Sequence, residues 1–134
     1  MRHIVVVEDD PINARLLRTV LERRGGWRVT VTEDPHELMR MAEAGEVHLV
    51  VLDVSLNDSR WQGELVNGID ICRLLKVGTA TASIPVLLAT AHAMRGDEQR
   101  FLAESGADDY VSKPLVDLDA FVAQIRRWLP AEAA

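Results

Sequence analysis

The sequence predicts an α/β domain in three layers, with five β–α units whose strands form one doubly wound parallel sheet between helices. Three observations predict it. Short apolar runs recur at residues 4–7, 47–52 and 84–89, too short for helices and right for strands buried on both faces. Between them, apolar residues fall at helical spacing in stretches opened by Asp or Asp-Pro and closed by Gly. The connections are short, and right-handed crossovers then lay the strands parallel.

Residues 4–7 are a β-branched run that ends on Glu8, Asp9 and Asp10, so a buried strand carries acids at its carboxyl end. Asp10 followed by Pro11 is a helix start, with Asp as N-cap and Pro at the first helical position. Ile12, Leu16, Leu17, Val20 and Leu21 are expected on one buried stripe of that helix, which Gly25-Gly26 stops. Residues 27–32 read as a second strand. Asp34-Pro35-His36-Glu37 repeats the start signal, with Glu37 at the capping-box position. The helix it opens turns Leu38, Met41 and Ala42 inward and ends near Gly45. The third strand runs to Leu52 and closes on Asp53.

Residues 55–67 show no periodicity and are expected to form a long loop. Ile69, Cys72 and Leu75 mark a third helix ending near Gly78. Residues 84–89 are a fourth strand, with Pro85 tolerable at its start. A fourth helix is expected over 94–104, stopped by Ser105-Gly106, and a short fifth strand over 108–111. Lys113-Pro114 is a turn, and Asp117 caps a last helix with an apolar face of Leu118, Phe121, Val122, Ile125 and Leu129. Pro130 and a short Ala-rich tail follow, with no linker and no segment expected to form an output domain.

A chain of 134 residues is expected to make one domain over 1–134. Hydrophobic residues at 48% and charged residues at 27% are ordinary globular proportions. The single cysteine, Cys72, rules out an intrachain disulfide, suits a reducing cytoplasmic setting and reads as a small core residue. No run approaches the ~20 apolar residues that span a bilayer, and residues 4–7 are too short for a signal-peptide core, so no membrane role is expected. The net charge is −6 and Lys/Arg occur only as isolated pairs, which argues against nucleic-acid binding.

In a parallel sheet the carboxyl ends of all strands lie on one edge, where open α/β sheets place their ligands. Strand one ends in Glu8-Asp9, strand three in Asp53 and strand four in Thr90, while Lys113 follows strand five. Alone, Asp53 reads as a residue that starts a turn. Several carboxylates brought together repel, and must take up a proton or recruit a cation. Oxygen-only ligands favour Mg²⁺ or Ca²⁺ over zinc or copper, and a site with few protein ligands suits Mg²⁺ that keeps waters and awaits phosphate oxygens.

The pieces 4–10 (IVVVEDD), 49–53 (LVVLD), 88–91 (LATA) and 108–114 (DDYVSKP), in this order and spread over essentially the whole chain, resemble the receiver domain of bacterial two-component response regulators. Residues 91–99 also resemble stand-alone receivers of the cell-cycle type and receivers of hybrid kinases. The resemblance implies a flavodoxin-like fold with strand order 2-1-3-4-5. It implies Asp53 as phosphoacceptor, with Mg²⁺ held by Asp9, Asp53, the Ser55 carbonyl and, through water, Glu8. Lys113 would pair with phosphoryl oxygens, Thr90 would donate its hydroxyl to one, and small Ala91 would leave room for the phosphate. The Lys113–Pro114 bond would be cis, turning the ammonium into the pocket. Once phosphate pulls Thr90 inward, Tyr110 would rotate from an exposed to a buried position and repack the surface of the fourth helix, fifth strand and fifth helix.

The resemblance also implies partners: a sensor histidine kinase or histidine phosphotransfer protein as donor, and a downstream effector protein, with the receiver a monomer or weak dimer in the cytoplasm. It would not be an enzyme beyond self-catalysed phosphotransfer and autodephosphorylation. Two other readings are a receiver-like adaptor that is never phosphorylated and a Mg²⁺-dependent phosphatase working through an aspartyl phosphate. The intact Asp9, Asp53, Thr90 and Lys113 set argues against the first. Ser55, standing two residues after Asp53 where the second needs an acid, argues against it.

The chain departs from the family after Asp53. Receivers commonly carry Met-Pro there and a Gly opening the third helix. Here Val54-Ser55-Leu56-Asn57 lacks the Pro, and the matching Gly68 comes fifteen residues after Asp53. The longer loop is expected to bring Arg60 or Trp61 near the pocket. His3, His36 and His48 are expected to be structural or exposed, and His92, two residues past Thr90, a possible influence on phosphate hydrolysis. Met39 and Met41 read as core or edge residues, not a metal site, and Trp128 as a half-exposed contact.

Overall fold

A computed structural model describes residues 1–91 and 96–129. The chain runs β1 (His3–Val7), α1 (Pro11–Arg23), β2 (Arg28–Thr32), α2 (Pro35–Glu43), β3 (Leu49–Asp53), β4 (Arg60–Trp61), β5 (Glu64–Leu65), α3 (Gly68–Val77), β6 (Val86–Thr90), α4 (Asp97–Ser105), β7 (Asp109–Ser112) and α5 (Leu118–Trp128). Five strands make one sheet in the order β2-β1-β3-β6-β7, every neighbouring pair parallel. Counted without the small β4–β5 hairpin, this is the expected 2-1-3-4-5 arrangement of a flavodoxin-like α/β fold.

The alternation of side chains along the central strands explains the three layers. In β1, Val5 and Val7 face a core shared with Leu38, Ile71, Cys72 and Leu75 of α2 and α3. Ile4 and Val6 face the opposite core, with Leu17, Leu21, Phe121 and Ile125 of α1 and α5. Every residue of β1, β3 and β6 is buried, as a strand covered on both faces requires. Met39, Met41 and Cys72 are core residues, as expected.

The helix starts follow from their caps. Asp10 accepts the Ile12 N–H at 3.0 Å, Asp34 the His36 N–H at 2.9 Å and Asp117 the Ala120 N–H at 2.9 Å. Glu37 does not close a capping box; it accepts the Thr32 hydroxyl at 2.9 Å, because the end of β2 lies beside the first turn of α2. The buried stripe of α1 is narrower than expected. Ala14, Leu17, Val20 and Leu21 cover the sheet, while Ile12 and Leu16, set to one side of that stripe, are 79% and 39% exposed. The fourth helix is described from Asp97, so its expected start at residue 94 and His92 lie outside the described residues. Among the described residues no helix is long and apolar enough to cross a membrane.

The stretch expected to be a loop contains an antiparallel hairpin, with Arg60 paired to Leu65 and Trp61 to Glu64. The hairpin lies on the β2–α2 junction. The Trp61 ring stacks on His36 with centroids 4.7 Å apart, and the Ser59 hydroxyl donates to the Glu33 carbonyl at 2.7 Å. After it, Asn67 caps α3 in a reciprocal box with Asp70.

Candidate functional site

Register places the acids together. Val7 pairs with Leu52, so Glu8 and Asp9 leave β1 alongside Asp53 at the end of β3. Glu8, Asp9 and Asp53 each present a carboxylate oxygen within 4.8 Å of the others. Glu8 and Asp53 are both only 4% exposed, so water screens them poorly. The Lys113 ammonium enters from the end of β7 and donates to Glu8 Oε2 and Asp53 Oδ1, 3.2 Å from each.

Backbone amides hold the acids in place. The Asp10 N–H reaches Glu8 Oε1 at 3.2 Å, the Ser55 N–H reaches Asp53 Oδ1 at 3.1 Å, and the Asn57 N–H reaches Asp9 Oδ2 at 2.9 Å. Gly68 is needed for a steric reason. A Cβ there would overlap the Asp53 carbonyl, so only glycine lets α3 begin against the residue at the centre of the site. The acids line a cavity of about 190 Å³, with Ser55, Asn57, Ala91 and Lys113 among its other walls.

Burial, and then repulsion from Asp53, push the Glu8 carboxyl up to about 7, against the pull of Lys113. Burial alone would lower Lys113, but the charges of Asp53 and Glu8 and the hydrogen bonds to them hold it above the usual lysine value. Three carboxylates with a single ammonium between two of them leave surplus negative charge in a poorly hydrated place. That donor set is all oxygen, and it fits a hard divalent cation such as Mg²⁺.

The structure thus brings together Glu8, Asp9, Asp53, Ser55, Ala91 and Lys113. Thr90, buried at the end of β6, joins through its backbone, its carbonyl accepting the Lys113 N–H at 2.9 Å. The Lys113–Pro114 peptide is cis. Tyr110 is 7% exposed, within the core cluster that holds Val86 and Leu88. One expectation needs correction. Arg60 and Trp61 stay away from the pocket. Trp61 is drawn onto His36 and the Arg60 guanidinium donates within its own hairpin, to the Gly63 carbonyl at 3.1 Å.

Asn57 went unread in the sequence. Its contribution is a main-chain N–H, and no residue type advertises that; the one available signal was the missing proline at this position. Trp128 is half-buried, its indole N–H donating to Asp109 Oδ2 at 2.7 Å.

Comparison with known proteins agrees with this geometry. The chain is similar over 128 residues to the polar-differentiation response regulator DivK of Brucella anthropi, 29% identical and covering 96% of each chain. It is 32% identical over 114 residues to hybrid signal transduction histidine kinase I of Dictyostelium discoideum, a match that takes in 84% of this chain but only 6% of that protein. Among solved structures it resembles the receiver domain of the sensor histidine kinase PA1611 from Pseudomonas aeruginosa, which holds a magnesium ion in its active-site cleft. There the TM-score is 0.78 at 26% identity, over 95% of this chain and 96% of that one. The model of the response regulator receiver domain matches residues 4–126, and the chain belongs to that family, the receiver domains of two-component signal transduction.

Proposed function

We propose that this receiver takes a phosphoryl group from a phosphohistidine onto Asp53 and passes the change to a partner protein. The observation that carries the reading is the convergence of Glu8, Asp9 and Asp53 with the Lys113 ammonium in one cavity. A carboxylate oxygen of Asp53 attacks phosphorus, the phosphorus–nitrogen bond of the donor breaks, and its electron pair stays on that nitrogen; the ring, carrying a proton on its other nitrogen, leaves as neutral imidazole. Lys113 is placed to offset charge on the transferring oxygens. Ala91 lines the cavity the phosphoryl group would enter, and Thr90, the residue before it, would donate its hydroxyl to a phosphoryl oxygen. Asp9, Asp53 and the Ser55 carbonyl would hold Mg²⁺, with Glu8 supporting it through water; the ion would supply positive charge to the phosphoryl oxygens.

The donor would be a sensor histidine kinase or a histidine phosphotransfer protein, and the receiving surface α4, β7 and α5, read by an effector in the cytoplasm. Tyr110 lies buried beside that surface, and the readout would turn on whether its ring is held there. Incubation with acetyl phosphate and Mg²⁺, followed by intact mass, tests the core step. The wild-type chain should gain the mass of one phosphoryl group and Asp53→Asn should not. Equal labelling of both, or of neither, overturns the reading.

A further inference from the structure

Of the three acids whose oxygens cluster in the pocket, Asp9 is the least confined. Glu8 and Asp53 are 4% exposed and share Lys113, whereas Asp9 is only half-buried and Lys113 does not reach it. What orients Asp9 is the Asn57 N–H, at 2.9 Å from Oδ2 across 48 residues of sequence. Asn57 lies two residues before Ser59, where the hairpin is anchored. The Ser59 hydroxyl holds the Glu33 carbonyl at 2.7 Å, and the Ser59 carbonyl takes the Val66 N–H at 2.9 Å. Trp61 stacks on His36 at 21° between ring planes, and His36 Nδ1 lies 3.2 Å from Asp34 Oδ1. The hairpin therefore runs as a strut from the β2–α2 junction to the carboxylate of Asp9.

We infer that the segment 55–67 is a positioning element for a divalent cation, acting through the Asn57 main-chain amide on Asp9. The amide occupies one oxygen of the carboxylate and leaves the other for the ion. It also removes a rotation that Asp9 would otherwise lose on binding. Groups that orient a metal ligand in this way typically change affinity by about ten- to a hundredfold when removed. This rests on the proposed function, since it needs the cation site.

The test is calorimetric titration of the unphosphorylated full chain with MgCl₂, beside thermal unfolding of each variant. Asn57→Pro removes the N–H and should weaken Mg²⁺ binding about tenfold. Asn57→Ala keeps the N–H and should stay within about twofold. Trp61→Ala loosens the strut from its far end, touches no acid of the pocket, and should weaken binding by about threefold. That variant carries the test if the proline prevents folding. Unchanged or tighter binding in Asn57→Pro, or in Trp61→Ala where the proline chain does not fold, overturns the inference and leaves the phosphoacceptor reading standing. A wild-type chain that binds no Mg²⁺ overturns the cation site itself, and this inference with it.

Discussion

The pocket at Asp53 and the Asp109 carboxylate on the edge strand β7 handle charge in opposite ways. In the pocket the charges do not balance: three carboxylates face one ammonium, and Glu8 is pushed up to about 7 by burial and by Asp53. On the edge strand β7 the Asp109 carboxylate is matched on both oxygens, although the buried Tyr110 hydroxyl finds no hydrogen-bond partner among the described residues. The Tyr110 N–H donates to Asp109 Oδ1 at 2.8 Å, its carbonyl accepts from Gln124 at 2.9 Å, and the other Asp109 oxygen accepts from Trp128. The contrast teaches where a signal enters and where it meets resistance. A site with unsatisfied charge gains from whatever neutralises it, whereas a carboxylate paired on both oxygens yields only when its hydrogen bonds are unmade.

The sharpest way to break the contrast is to remove the ammonium. Lys113→Met leaves Glu8 and Asp53 buried without their shared partner and takes away the charge that would meet the phosphoryl oxygens. Labelling by acetyl phosphate, followed by intact mass over time, should slow by roughly 10²-fold. A slowing of less than about tenfold would take Lys113 out of the chemistry and leave it as a structural counter-charge.

A second change should act with the opposite sign on stability. Glu8→Gln keeps an oxygen for the Asp10 N–H but removes a buried charge that repels Asp53. Urea unfolding without divalent cation should show a gain of about 1 kcal/mol, the trade of stability against function common at active sites. Lower stability would mean that the attraction of Lys113 outweighs burial and repulsion together, and that the pocket is balanced after all.

These two regions also differ in how far they could be read beforehand. Glu8, Asp9, Asp53 and Lys113 were legible because each sits at a strand end, and parallel register carries strand ends to one rim. The caps Asp10, Asp34 and Asp117 were legible because a cap acts within its own first turn. What escaped was set by contacts far apart in sequence. Trp61 meets His36 twenty-five residues earlier, Asn57 acts through a main-chain amide, and Glu37 is claimed by a hydroxyl of the preceding strand. Ile12 and Leu16 are apolar at helical spacing, yet the sheet below α1 has room for one stripe and Leu17 and Leu21 take it.

The smallest expected effect lies in the clasp on β7. Burial alone would raise Asp109, but hydrogen bonds from Gln124, Trp128 and the Tyr110 N–H, with Arg127 nearby, hold it below the usual carboxylate value. A carboxylate lowered on folding stabilises the fold above its unfolded value of about 4, and that stabilisation fades as the pH falls through this value and on toward the lower folded one. Trp128→Phe keeps the ring and deletes the indole N–H, so it should cost about 1 kcal/mol at pH 7. The cost should shrink between about pH 5 and pH 3, because protonated Asp109 is a weaker acceptor for the wild-type indole. Urea unfolding of both chains at the two pH values reads this directly, and other carboxylates cancel because both chains carry them. A cost that stays constant with pH would show that Trp128 acts by packing alone, and that β7 is held by the core rather than by the hydrogen bonds of Asp109.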